Sequence, residues 1–255
     1  MILAIDIGNS FTHAGIYDEF KLKKKIIFPT LSVAEKHELP KKIINLSQKP
    51  IKKIGISSVV PQVNFYWKNL IKKYFNINSL FITNKIKLPI KIKLNKGKTV
   101  GSDRICNAVA GYEYFNRKQN VIIIDLGTAT TYDIVLKTGE FAGGIIAPGI
   151  KTAADSLHDK TAKLPLIPKN KLIFPQSASG KDTIEAMQSG IMYAALDSME
   201  GMISRLEKIY AVRFRIILTG GFAPLINVKT SHKSVIREDL VMDGINYIIR
   251  FSDVE

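Results

Sequence analysis

Apolar positions along this 255-residue chain fall into two textures. Some are short apolar runs that stop at Asp, Gly or Pro. Others are longer stretches in which apolar residues recur every three or four positions. In the first half the short runs predict strands over 1–6, 12–17, 24–28, 53–60 and 80–83. Ser32 predicts the N-cap of a helix reaching about residue 45, with Glu35 at the capping-box position. Helical spacing over 65–75 puts Phe65, Leu70, Ile71 and Tyr74 on one face, and Trp67 reads as packing. A basic, linker-like segment over 85–99 precedes a helix over 102–115. In the second half, 121–125 is apolar throughout, as a strand covered on both faces should be. Strands over 130–136 and 141–147, a long helix over 183–210, a strand over 214–218 and a last helix over 240–251 follow. This alternation predicts an α/β protein, divided into domains 1–115 and 116–255.

One internal similarity organises the rest. Ile5-Asp6-Ile7-Gly8-Asn9-Ser10-Phe11-Thr12 resembles Ile124-Asp125-Leu126-Gly127-Thr128-Ala129-Thr130-Thr131, 119 positions later. Each copy is an apolar strand ending in Asp-x-Gly, a small polar turn and a second β-rich run. A lone Asp-x-Gly carries little, but two in the same setting suggest a duplication.

Composition narrows the class. The chain is 46% hydrophobic and 23% charged, close to a globular average. Cys106 is the one cysteine, so no intramolecular disulfide forms; beside Ile105 and Ala108 it reads as a core thiol. No apolar run approaches the roughly 18 residues of a membrane span, and the start does not read as a signal peptide, so a cytoplasmic location is expected. The net charge of +15 fits either a nucleic-acid partner or a lysine-rich surface. The lysines are spread beside Ile and Asn without an RNA-binding or zinc-finger signature, which favours the surface reading. The histidines His13, His37, His158 and His232 show no metal spacing.

The repeated turns suit phosphate chemistry. A strand-ending Asp can hold Mg²⁺ through water, and a Gly two residues on lets backbone amides approach phosphate oxygens. Asn9, Ser10 and Thr128 add side-chain donors, and Thr219-Gly220-Gly221 is a further close-approach turn. His13 fits a phosphate-facing position or a hairpin surface equally. The P-loop pattern and the protein-kinase motifs are absent. In Gly101-Ser102-Asp103-Arg104, Arg104 can present a planar fork to an anion and Asp103 can accept a proton; a helix-initiating Asp beside a solvated Arg reads equally well.

Taken in order, Asp6-Ile7-Gly8-Asn9-Ser10, Ser57-Ser58-Val59-Val60-Pro61, Gly101-Ser102-Asp103-Arg104, Asp125-Leu126-Gly127-Thr128-Ala129-Thr130-Thr131 and Gly143-Gly144-Ile145-Ile146-Ala147-Pro148-Gly149 form a series. Ala162-Lys163-Leu164-Pro165, Gly180-Lys181-Asp182-Thr183, Gln188-Ser189-Gly190 and Thr219-Gly220-Gly221 complete it. The series resembles the type III pantothenate kinases of the actin, Hsp70 and sugar-kinase superfamily over nearly the whole chain. The resemblance implies two duplicated ribonuclease H-like, actin-like ATPase lobes around a nucleotide cleft. It implies ATP-dependent phosphorylation of pantothenate, the first step toward coenzyme A. It implies ATP contacts along Asp6, Ile7, Gly8, Asn9, Ser10, Phe11, Thr12 and His13 and at Thr128, with Mg²⁺ near Asp6. Asp103 would be the general base, Gly101, Ser102, Asp103, Arg104 and Thr183 would meet pantothenate, and Asp125 would hold K⁺ or NH₄⁺. The family is homodimeric, and Met187, Ile191, Ala194, Ala195, Met199 and Met202 offer the long helix apolar surface for a partner.

One stretch departs from the pattern. Where the family has a Tyr-x-Asn-Pro-like run, this chain has Leu94-Asn95-Lys96-Gly97, without the tyrosine hydroxyl. Two other readings share the fold: a non-catalytic regulator whose basic surface meets nucleic acid, and a kinase of another small hydroxylated substrate. The three carboxylates Asp6, Asp103 and Asp125 disfavour the first, and Gly101 to Arg104 disfavours the second.

Overall fold

A computed structural model describes residues 1–30, 39–93 and 100–252. Its contacts divide the chain into two units. One comprises Met1–Lys118, Val135–Ala142 and Asp239–Glu255; the other comprises Gln119–Ile134 and Gly143–Glu238.

The first unit is built on a sheet in the order β3-β2-β1-β4-β5. β1 (Ile2–Ile7), β2 (Phe11–Asp18) and β3 (Lys21–Pro29) form an antiparallel meander, and β4 (Lys53–Ser58) and β5 (Leu80–Phe81) extend it in parallel beyond β1. β1 is central, and Leu3, Ala4, Ile5 and Ile7 have no exposure, which is why its sequence is apolar without alternation. Ile54 and Ile56 of β4 join the core that α2 (Pro61–Phe75) fills with Val63, Trp67, Leu70 and Ile71. Gly55, between them, points to the opposite face and meets Ile245 and Ile249 of α7 (Leu240–Phe251). α7 therefore covers the second face of this sheet, although it is the last element in sequence. It also lies on α3 (Ser102–Tyr114), so closely that a Cβ at Gly244 would collide with the Cys106 backbone. This unit also contains α1 (Leu39–Ile44) and β6 (Lys91–Ile92), which pairs with Glu140 and Phe141.

The second unit repeats the plan. β7 (Val121–Leu126), β8 (Ala129–Val135), β9 (Glu140–Pro148), β10 (Arg215–Thr219) and β11 (Ser234–Ile236) are ordered β9-β8-β7-β10-β11, with β10 parallel to β7. β7 thus stands where β1 stands, between a hairpin partner and a parallel neighbour. The duplication suggested by the two Asp-x-Gly turns extends to the strand order. The helices here are α4 (Ile150–Lys160), α5 (Thr183–Tyr210) and α6 (Ala223–Lys229). Asp182 caps α5 by accepting from the Glu185 amide at 2.8 Å, and Glu185 accepts in return from the Lys181 amide at 2.9 Å.

Several expectations change. The partition differs from 1–115 and 116–255, because 135–142 and 239–255 group with the first unit, where the apolar face of α7 is needed to close the sheet. The buried face of α2 includes Val63 and Trp67, while Phe65 and Tyr74 are exposed (75% and 46%). Pro61 starts that helix four residues early, and the Trp67 ring stacks on Phe28 at 6.2 Å. The elements α4, α6 and β11 carried no sequence signal. The proposed cap at Ser32 and Glu35 and the Leu94 to Gly97 stretch lie outside the described residues. Among the described residues no helix is long and apolar enough to cross a membrane.

Candidate active site

In the first unit the Asp6 turn is braced from outside the hairpin. The Gly8 amide donates to the Phe11 carbonyl at 3.0 Å and closes the turn. Thr30, at the end of β3, donates its hydroxyl to the Gly8 carbonyl at 2.6 Å, and its amide meets the Ser10 carbonyl at 3.1 Å. Asn9, Ser10 and Phe11 are exposed on the turn. Ile7 and Thr12 are fully buried, and the Thr12 hydroxyl is 3.0 Å from that of Thr30. Of the expected nucleotide contacts, these two therefore have only backbone to offer. His13 stands opposite Asp6 in the β1–β2 register. Burial, then the Lys25 charge, lowers its pKa, against a smaller opposing pull from Asp239, so the ring is neutral at pH 7.

The start of α3 is tied to the end of β4. Ser57 pairs with Asp6 across β1 and β4. The Ser102 hydroxyl is 3.0 Å from that of Ser57, accepts from the Ser58 amide at 2.8 Å and donates to the Ser58 carbonyl at 3.0 Å. Ser102, expected to touch substrate, thus commits its hydroxyl to the fold. The Ser57-Ser58-Val59-Val60-Pro61 motif gains a physical meaning: it holds Gly101 to Arg104 beside the Asp6 strand and starts α2. Asp103 Oδ1 accepts from the Arg104 amide at 2.8 Å. Burial raises the Asp103 pKa, and the neighbouring amide and guanidinium of Arg104 offset it only in part. The Arg104 guanidinium lies 5.8 Å from the centre of the Phe141 ring. Cys106, in α3, is fully buried; burial, then the charges of Asp6 and Asp103, push its thiol well above the usual range. It is an inert core thiol.

In the second unit Asp125 pairs with Thr219 across β7 and β10. Gly220, at φ +86°, closes over it: a Cβ there would sit 2.6 Å from both Asp125 Oδ1 and the Leu126 backbone. Only glycine can take that conformation and that approach. The Gly127 amide donates to the Ala129 carbonyl at 3.2 Å, leaving Thr128 exposed at the tip. Lys169, which the sequence reading did not single out, brings its ammonium against Gly221 and over the Phe222 ring at 5.5 Å.

Thr183, in the first turn of α5, is exposed and lines an apolar groove of about 890 Å³ between α4 and α5. Ala153, Leu157, Met187, Ile191, Ala194 and Ala195 form much of its wall. Of the apolar positions expected to face a partner, Met187, Ile191 and Met199 are buried within the protomer, Ala195 and Met202 are half-buried and Ala194 is exposed; Met187, Ile191, Ala194 and Ala195 line the groove.

Among the described residues no three His, Cys, Asp or Glu side chains gather as a closed metal cage. Single strand-end carboxylates beside glycine turns match Mg²⁺, which keeps most of its waters and shares phosphate oxygens, and equally a weakly held monovalent cation.

The type III pantothenate kinase family model matches residues 2–205. A type III pantothenate kinase of Sulfurihydrogenibium sp. (strain YO3AOP1) is 37% identical over 257 residues, covering 98% of this chain and 100% of the relative. One from Legionella pneumophila (strain Corby) is 37% identical over 253 residues, covering 96% of each. Among solved structures, a Campylobacter jejuni protein described as of the Baf family of transcriptional activators superposes with TM-score 0.62 at 17% identity, over 99% of this chain and 100% of that one. MreB 5 of Spiroplasma citri, bound to AMPPNP, gives 0.56 at 11% identity over 99% and 96%. At such identities the likeness is one of fold, and the fold is that of the actin-like ATPases. With the family model spanning most of its length, the chain belongs to the type III pantothenate kinase family.

Proposed function

We propose that the chain transfers the γ-phosphoryl group of ATP to the hydroxyl of pantothenate, giving 4′-phosphopantothenate, the first step of coenzyme A biosynthesis in the cytoplasm. The observation that carries this reading is the link from the Asp6 strand to the Asp103 segment: Ser57 pairs with Asp6 across β1 and β4, and Ser102, bonded to Ser57 and Ser58, anchors the residue next to it, Asp103.

Phosphoryl transfer asks mainly for positioning and for neutralised charge. The backbone of the Asp6 turn and that of the Gly127-Thr128 turn hold phosphate oxygens, with Asn9, Ser10 and Thr128 as side-chain donors. Asp103 accepts the pantothenate hydroxyl proton as attack proceeds; its raised pKa makes it a stronger base than an ordinary aspartate. Arg104 holds the pantothenate carboxylate, for which its planar fork is suited. Asp6 would hold Mg²⁺ through water and Asp125 would hold K⁺ or NH₄⁺; these cations offset repulsion between phosphates when bound. A homodimer formed over the α4–α5 groove, with Thr183 at its edge, completes the reading: such a wall of Ala, Leu, Ile and Met favours a second copy over water.

A coupled assay of ATP turnover with and without pantothenate, each with and without K⁺, tests it. Pantothenate-dependent turnover is expected. No turnover with pantothenate, alongside tight DNA binding at physiological salt, would replace this reading with that of a regulator.

A further inference from the structure

In each unit a threonine from outside the Asp-x-Gly hairpin donates its hydroxyl to a carbonyl of the turn at the same distance, 2.6 Å. In the first unit Thr30 donates to Gly8. In the second, Thr152 donates to Thr128, and the Gly149 amide reaches the same carbonyl at 3.2 Å. Neither threonine belongs to the turn it meets, and the repeated Asp-x-Gly segments do not contain them.

The second case has the clearer consequence. A carbonyl oxygen has two lone pairs, and donors from Gly149 and Thr152 occupy both. That fixes the peptide plane between Thr128 and Ala129. Both donors come from the start of α4, a helix seated by Ile150 (3% exposed) and Ala154 (fully buried). The exposed tip of the turn is therefore held on a rigid support. A loose turn would have to be ordered by the ligand at a cost in affinity, whereas a braced one is already in place.

We propose that Thr152 is a positioning residue for the nucleotide, acting through the Thr128 carbonyl, and that Thr30 is its counterpart under Gly8. This rests on the reading of the Gly127-Thr128 turn as an ATP contact. Thr152 does not touch the phosphate itself; it sets the orientation of the group that does. Since Thr152 also lines the α4–α5 groove, a change there has to be separated from an effect on assembly.

The test uses the full chain and the ATP analogue AMPPNP with Mg²⁺, measured by calorimetry for Thr152→Val, Thr152→Ser and Thr128→Ala. Valine keeps the shape and removes the donor, while serine keeps the donor. Loss of one hydrogen bond predicts AMPPNP affinity about three- to tenfold weaker for Thr152→Val, with Thr152→Ser within about twofold of wild type. The pantothenate KM and the sedimentation coefficient should not move. Thr30→Val and Thr30→Ser should repeat the pattern. The proposal is overturned if Thr152→Val binds AMPPNP as wild type does, or if Thr152→Ser loses as much as Thr152→Val. Weaker binding by Thr128→Ala, in the first of those cases, would leave the turn as a nucleotide contact and remove only the brace. Unchanged binding by Thr128→Ala as well would remove both.

Discussion

The hydroxyls of Ser57 and Ser102 lie 3.0 Å apart, and through this contact the end of β4 holds the first turn of α3. Ser102→Ala removes a buried donor and acceptor at once and leaves the Ser58 amide without this partner. Stability is expected to fall by about 1–3 kcal/mol, read from urea unfolding. Turnover should fall as well, because Asp103 is the next residue and moves with the anchor. A variant as stable and active as wild type would show that the contact is incidental.

Asp103→Asn keeps the size and removes the base, so kcat should drop by about 10²- to 10⁴-fold while nucleotide affinity is kept. The raised pKa sets two pH effects. In the wild type, activity should begin to fall on the acid side above the pH at which an ordinary aspartate protonates. In folding, a pKa raised above the unfolded value means that ionised Asp103 costs stability. That cost is absent below the unfolded pKa and grows as pH rises through the folded one. Asp103→Asn should therefore unfold at higher temperature than wild type at neutral pH, with the difference closing in acid.

Arg104→Ala should separate from Asp103→Asn in steady-state kinetics. It loses a clamp rather than a base, so the pantothenate KM should rise by about tenfold or more with a smaller change in kcat. An equal loss in kcat and kcat/KM would assign Arg104 to the transition state instead.

Asp125→Asn should weaken the response to K⁺ without unfolding the chain, since Gly220 accommodates an amide of the same size beside Leu126. Wild-type activity should drop when K⁺ is exchanged for Na⁺. Full activity in Na⁺ alone would take the monovalent cation out of the mechanism.

Ala194→Asp puts a carboxylate on the apolar groove between α4 and α5. A dimeric wild type should become monomeric in sedimentation velocity, with the melting temperature of the protomer little changed because Ala194 is exposed. A wild type that stays monomeric at all concentrations would refute the dimer.

What the sequence determined by itself is local. The unbroken apolar runs of β1 and β7, buried on both faces, could be read directly, as could the turn chemistry of Asp6 to Ser10 and of Asp125 to Thr128. The long periodic stretches of α5 and α7 gave both ends of each helix as observed, Thr183–Tyr210 and Leu240–Phe251. Periodicity and turn propensity act over a few neighbours, so they leave a signal in the order of residues. The tertiary structure alone decided where α7 goes: Gly55 of β4 leaves room for Ile245 and Ile249 on the first sheet, and Gly244 lets the same helix lie against the Cys106 backbone of α3. It turned the Ser102 hydroxyl inward, placed Thr30 under Gly8 and Thr152 under Thr128, and set Lys169 against Gly221. Each of these joins elements that the chain places apart, with no repeat or spacing to announce it; apolar burial selects the seat of α7, and the requirement that polar groups drawn from water find partners selects the serine and threonine contacts.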